Sequence, residues 1–204
     1  MGCHEEFTLY AAVALSNILK NPEPQLWRLA QKVEGWGKIH LVERLSHSSD
    51  PEIKNWLLRD GYRNNIMNEY LAYVCATGGG LKNALAVPEI DEGLLKSTGE
   101  IIEALINGGP AEDIEDYDDA QYVINRYLYH LTPNANLLEH YLVTQTIYNY
   151  LNSGLSDPIE RNEKGWNDDQ YYEALSTTKT ILNLPVWEQR VMEGLQSEQD
   201  AQFY

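Results

Sequence analysis

The chain has 204 residues, enough to bury a sizeable core, and 31 acidic against 15 basic side chains give it a net charge of −16 and a pI near 4.6. That balance argues against nucleic acid, where phosphate binding needs clustered Lys and Arg, and equally against an anionic membrane surface. With 43% hydrophobic and 23% charged residues, disorder is a poor description of the chain.

The opening MGCHEEFTLY carries two acids where a signal peptide has a cationic region. Met1-Gly2-Cys3 suggests an acylation start, but Glu6 stands where myristoylation requires Ser or Thr. No apolar run reaches membrane-spanning length, so a cytoplasmic chain is expected.

Phe7, Ala11, Ala14, Leu15 and Ile18 form the first helical stripe. Asn21-Pro22-Glu23 then starts a second helix with a capping side chain, a proline in the first turn and an acid at the positive end of the dipole. Its stripe is Leu26, Leu29, Ala30 and Val33.

The stretch WGKIHLVERLSH, residues 36–47, places Ile39, Val42 and Leu45 on one helical face and His40, Glu43, Arg44 and His47 on the other. Asp50-Pro51-Glu52 starts another helix, with Ile53, Trp56 and Leu57 facing inward. The helix after it is expected near Ile66, with Ile66, Tyr70 and Val74 inward and Asn65, Asn68, Glu69, Ala72 and Ala76 sharing a polar or small face.

Cys75, in the apolar run YLAYVCA, reads as a buried, reduced thiol, because two cysteines cannot make a disulfide framework or a zinc ribbon. Gly78 to Gly80 read as a break. No strand precedes TGGGLKN and no Gly-Lys-Ser/Thr follows, so a phosphate loop is not expected.

Later stripes are Ile101, Ile102 and Leu105; Ile124, Tyr127, Leu128 and Leu131; Leu138, Tyr141 and Leu142; Tyr171, Leu175, Thr178 and Leu182; and Trp187, Val191 and Leu195. YLVTQTIYNYL has β propensity, but its length and spacing favour helix. The fold class is therefore all-α. The expected organisation is one domain over residues 1–204, with subdomain joints at the long connections 78–93 and 153–167.

Pro22 and Pro51 begin two copies of one plan, 29 residues apart. Each Pro is followed five residues later by Trp (Trp27, Trp56) and seven later by Leu (Leu29, Leu58), and a Gly-aromatic pair closes the first helix (Gly35-Trp36, Gly61-Tyr62). That period suits stacked helical hairpins, none of which buries its apolar face alone. The plan resembles the HEAT and armadillo-like repeats found in many bacterial proteins, most clearly over residues 5–77. The resemblance implies a right-handed α–α superhelix of antiparallel helix pairs, whose second helices line a concave surface that holds another macromolecule.

The polar face at His40, Glu43, Arg44 and His47 is poorly arranged for a metal. Zinc on a single helix takes two His at i and i+4, whereas these two lie about 10 Å apart by helical rise, with Arg44 between them. No Glu-x-x-His pair for a carboxylate-bridged di-iron site occurs. No cofactor is called for.

PAEDIEDYDDAQY places six acids in residues 112–119, without the glycine of a calcium loop, and reads as an exposed acidic linker feeding a helix N-terminus. Tyr127, Tyr129, Tyr141, Tyr148 and Tyr150 crowd two helices and cannot all face one core.

The expected function is a non-enzymatic module that binds a protein, naturally a basic one, through His40, Glu43, Arg44, His47, Asn65, Asn68 and Glu69. Two enzyme readings compete. One is a helical-repeat DNA-repair glycosylase, which needs a Lys/Arg stripe where the second helices offer only Lys38, Arg44 and Arg63. The other is a small-molecule or metal enzyme using His40, Glu43 and His47.

Overall fold

The computed structural model describes residues 5–201, with side chains from residue 7 to 193; Met1, Gly2 and Cys3 and the Leu195 side chain lie outside. Among the described residues there are twelve α-helices and no strand, and they form two compact units, residues 1–119 and 120–204.

The first unit holds α1 (Glu5–Ile18), α2 (Glu23–Ala30), α3 (Gly35–Leu45), α4 (Pro51–Trp56), α5 (Ala72–Gly79), α6 (Leu81–Leu85) and α7 (Glu92–Asn107). The second holds α8 (Ala120–Leu131), α9 (Leu138–Asn149), α10 (Pro158–Glu163), α11 (Asp168–Leu182) and α12 (Val186–Ala201). The stretch 78–93 lies within the first unit and is largely helical. The stretch 153–167 lies within the second and contains α10. The two units meet in sequence at the end of the acidic run, between Asp119 and Ala120.

Helix starts follow local chemistry. Asp50 accepts the Glu52 N–H at 2.8 Å ahead of Pro51, and Asp157 accepts the Ile159 N–H at 2.7 Å ahead of Pro158. Pro22 itself occupies the N-cap of α2, where no side chain caps.

In the first unit, α3 is the centre, with α1 and α2 packed against it, and Ile39, Val42 and Leu45 are buried as their spacing predicts. α4 runs without a break into a π-helical turn, Leu57–Gly61, which packs on α5 and α7. In the second, α11 packs on α8 and α9, and Ile124, Tyr127, Leu128 and Leu131 are buried.

Periodicity misleads in α1 and α9. In α1 the large apolar side chains Phe7 and Ile18 are exposed, while Thr8 and Ala12 are fully buried. The reason is close approach: a Cβ on Gly37 of α3 would sit 2.8 Å from Thr8 Oγ1, so α1 lies on α3 through small side chains. In α9, Leu138 and Leu142 are exposed and His140, Val143, Thr144 and Ile147 are buried. Thr144 donates to the His140 carbonyl at 2.6 Å, and His140 Nδ1 accepts from the Leu137 N–H at 3.4 Å. A hydroxyl satisfied by its own helix, as that of Thr144 is, buries at little cost.

The glycine run is not a loop. Gly78 and Gly79 close α5, and only Gly80, at φ +72°, turns the chain. Cys75 is free and fully buried, and burial pushes its thiol well up, as expected of an inert thiol. The acidic run is anchored rather than loose: Ile114 and Tyr117 are buried, and Tyr117 meets Tyr73 edge-on at 6.3 Å.

A polar lattice ties the π-turn to α7. Tyr62, which is fully buried, donates its hydroxyl to Glu100 Oε2 at 2.5 Å, and Arg63 Nε donates to the same oxygen at 3.0 Å. Burial pushes the Glu100 carboxyl up, but the bonds from Arg63 and Tyr62 outweigh it and hold Glu100 below the usual range. Arg59 grips Asp91 with two bonds of 2.7 and 2.6 Å, holding that carboxyl well below the usual range.

Both folded-state pKa values are lowered, so the unfolded chain takes up protons first as pH falls. The stabilisation is complete above the ordinary carboxylate range and is lost through the folded values. Melting temperatures should therefore be flat near neutrality and fall below about pH 4. Glu100→Gln should flatten part of that fall, and an identical pH slope in the variant would show that the lattice contributes nothing to it.

Candidate interaction surface

Gly35 opens α3 at φ +65°, and its N–H donates to Asn64 Oδ1 at 2.9 Å. Asn64 in turn donates its own N–H to Asn68 Oδ1 at 3.1 Å. These side-chain bonds hold residues 64–67 outside any helix, Asn68–Tyr70 forms one 3₁₀ turn, and α5 begins only at Ala72. Asn65, Asn68 and Glu69 therefore do not share a face with Ala72 and Ala76, as the expected helix from Ile66 required. Asn68 serves the turn, Asn65 is exposed, and Glu69 is half-buried beside Gly109, where an added Cβ would lie 3.1 Å from its own.

The same turn brings Tyr70 to Trp36, with ring centroids 5.1 Å apart and planes at 61°. Trp36 is 52% exposed. Four and seven residues on, His40 and Glu43 continue its face of α3, and His40 Nδ1 lies 3.5 Å from Glu43 Oε2. Arg44 donates to the His40 carbonyl at 2.6 Å.

Sequence spacing pairs Glu43 with His47, but α3 ends at Leu45. Ser46 Oγ donates to the Glu43 carbonyl at 2.7 Å, and His47 sits exposed in the following turn. The structure thus brings together Trp36, His40, Glu43 and Arg44 on α3 and sets Tyr70 against Trp36, while His47 leaves the helical face.

Trp36 and Tyr70 were not anticipated as surface residues. The signal for Trp36 was present in its spacing of four from His40. None existed for Tyr70, whose place depends on the asparagine turn. The two Gly-aromatic pairs also differ in use, since Trp36 is exposed whereas Tyr62 is fully buried.

Among the basic residues of the second helices, Lys38 is only 6% exposed and donates to the Asp60 carbonyl at 3.2 Å. Burial lowers its pKa, against the pull of Glu34. Arg63 is held by Glu100 and Asp60. Among the described residues, no three His, Cys, Asp or Glu side chains gather where a metal ion could be held. No described helix is long and apolar enough to cross a membrane.

No family model matches the chain, and no curated protein or solved structure matches it.

Proposed function

We propose that the chain is a non-enzymatic interaction module of the cytoplasm, built from HEAT/armadillo-like helix pairs stacked in a right-handed superhelix, that takes a basic protein segment on the Trp36–Glu43 side of α3. The observation that carries this reading is the exposed Trp36, fixed edge-on by Tyr70 and followed along its helix by Glu43. An aromatic anchor beside charged groups is the composition of interface hot spots.

The electrostatics support a basic partner. The first unit has 20 acidic against 10 basic side chains, and Lys38, Arg59, Arg63 and Lys82 of those ten are spent on carbonyls or carboxylates of the same unit. The same engagement of basic groups supports a protein rather than a nucleic acid as partner. The pairing of α2 with α3 and of α4 with α5 supports stacked hairpins, and the free thiol of Cys75 supports a reducing compartment.

The test is capture from the native host's lysate on immobilised wild-type protein and on Trp36→Ala, washed at low and high salt and read by mass spectrometry. One basic protein should be retained by the wild type at low salt and lost at high salt. Trp36→Ala should bind it about thirtyfold more weakly, the hot-spot scale of about 2 kcal/mol, with an unchanged melting temperature. Replacing Glu43 with alanine should also weaken binding, because it removes the carboxylate on the same face of α3 as Trp36. Equal retention by Trp36→Ala moves the site elsewhere, and no specific retention by the wild type overturns the reading.

A further inference from the structure

We infer that the basic segment is anchored by an arginine, whose guanidinium stacks on the open part of the Trp36 ring. This rests on the basic-partner reading and names the side chain that the Trp36–Tyr70 corner selects. Trp36 is 52% exposed although Tyr70 stands against it, with ring centroids 5.1 Å apart and planes at 61°. An indole already held by a neighbouring ring loses little freedom when a group settles on it, and indole is the strongest aromatic acceptor of a cation. Among the described residues, no guanidinium or ammonium of the chain itself lies over this ring.

The surrounding charge calls for a cation. Glu43 follows Trp36 on the same face of α3 with its side chain 53% exposed, Glu69 immediately precedes Tyr70, and Glu34, 55% exposed, is shared with Lys38 at 3.9 Å. The nearby basic side chains are turned elsewhere. Lys38 is buried toward the Asp60 carbonyl, and Arg44 folds back onto the His40 carbonyl of its own helix. A cation on Trp36 gains from these carboxylates and from the net charge of −16 at longer range, whereas an apolar side chain gains from neither.

The half-open ring favours arginine over lysine. A guanidinium is planar and weakly hydrated, so it lies flat on an exposed indole, while an ammonium keeps its water and gains less there. The chain makes the same choice internally. Arg63, Arg126 and Arg161 lie 5.4, 4.4 and 4.1 Å from the ring centres of Tyr62, Tyr129 and Tyr171, whereas Lys179 stands 6.0 Å from that of Tyr148.

Nuclear magnetic resonance of the ¹⁵N-labelled full chain tests this. Its five tryptophans give separate indole N–H signals, and the one missing from Trp36→Ala identifies Trp36. The probes are capped Gly-Gly-Arg-Gly-Gly and its lysine and citrulline counterparts, titrated to millimolar concentration at constant ionic strength. The arginine peptide should shift the Trp36 signal saturably, the lysine peptide should bind about fivefold more weakly, and citrulline, which keeps the shape without the charge, should give no saturable shift. Glu43→Gln should weaken the arginine peptide about threefold. Equal binding of the arginine and lysine peptides overturns the arginine assignment and leaves the basic-segment reading standing. Citrulline binding as well as arginine also overturns the assignment, because charge then plays no part. A Trp36 signal that neither cationic peptide moves overturns both.

Discussion

Gly78→Ala is expected to destabilise the first unit by about 3 kcal/mol and to lower the melting temperature by roughly 6–12 °C. The added Cβ would lie 2.5 Å from the Ser46 carbonyl oxygen and 2.8 Å from Ser46 Cα. These are backbone atoms and cannot rotate aside. Shifting α5 the other way is blocked too, since Gly79 already stands where a Cβ would meet Leu58 Cδ2 at 2.6 Å. The end of α5 is therefore wedged between the end of α3 and the α4 segment.

Cys75, one turn upstream, supplies a local reporter, because its buried thiol should react with a thiol reagent faster in the variant. Gly165→Ala is the control. Nothing lies within 4 Å of its Cβ, so only the backbone strain of φ +79° remains, about 1 kcal/mol. If the two variants melt alike, α5 does not sit against Ser46 as described.

The second large effect is expected at Arg161 in the second unit. Its side chain is 2% exposed, Nη1 donates to the Leu155 carbonyl at 3.1 Å, Nη2 donates to Asp168, and the guanidinium lies 4.1 Å from the centre of the Tyr171 ring. Asp168 is largely exposed, so losing its partner returns it to water at little cost. What Arg161→Ala removes is volume, stacking and the donor to a buried carbonyl. A loss of about 3 kcal/mol follows from the packing. Asp168→Asn should cost under about 1 kcal/mol. Trp166, buried against the same segment, should shift its fluorescence to the red in Arg161→Ala. Equal losses in the two variants would mean that the ion pair, rather than the packing, holds α10.

Both expectations rest on contacts between elements distant in sequence, and that is where sequence reading and structure part. The sequence by itself determined what local chemistry decides. Asp50-Pro51 and Asp157-Pro158 start helices because a carboxylate and a proline satisfy a helix N-terminus wherever they occur. The helical character of residues 138–149, the inward stripes of α3, α7 and α8, and the buried thiol of Cys75 follow from spacing in the same way.

Tertiary structure alone decided the rest. Whether the large or the small face of α1 turns inward depends on Gly37 and Thr8 meeting across two helices. Residues 64–67 stay non-helical because Asn64 finds the Gly35 N–H, 29 positions away. Trp36 and Tyr62, matched in the repeat, end up on opposite sides of the surface because Glu100, far along the chain, accepts the hydroxyl of one and nothing covers half of the other. A periodic pattern ranks the faces of a helix by hydrophobicity, whereas burial is awarded by what can approach closely and by which polar groups find partners.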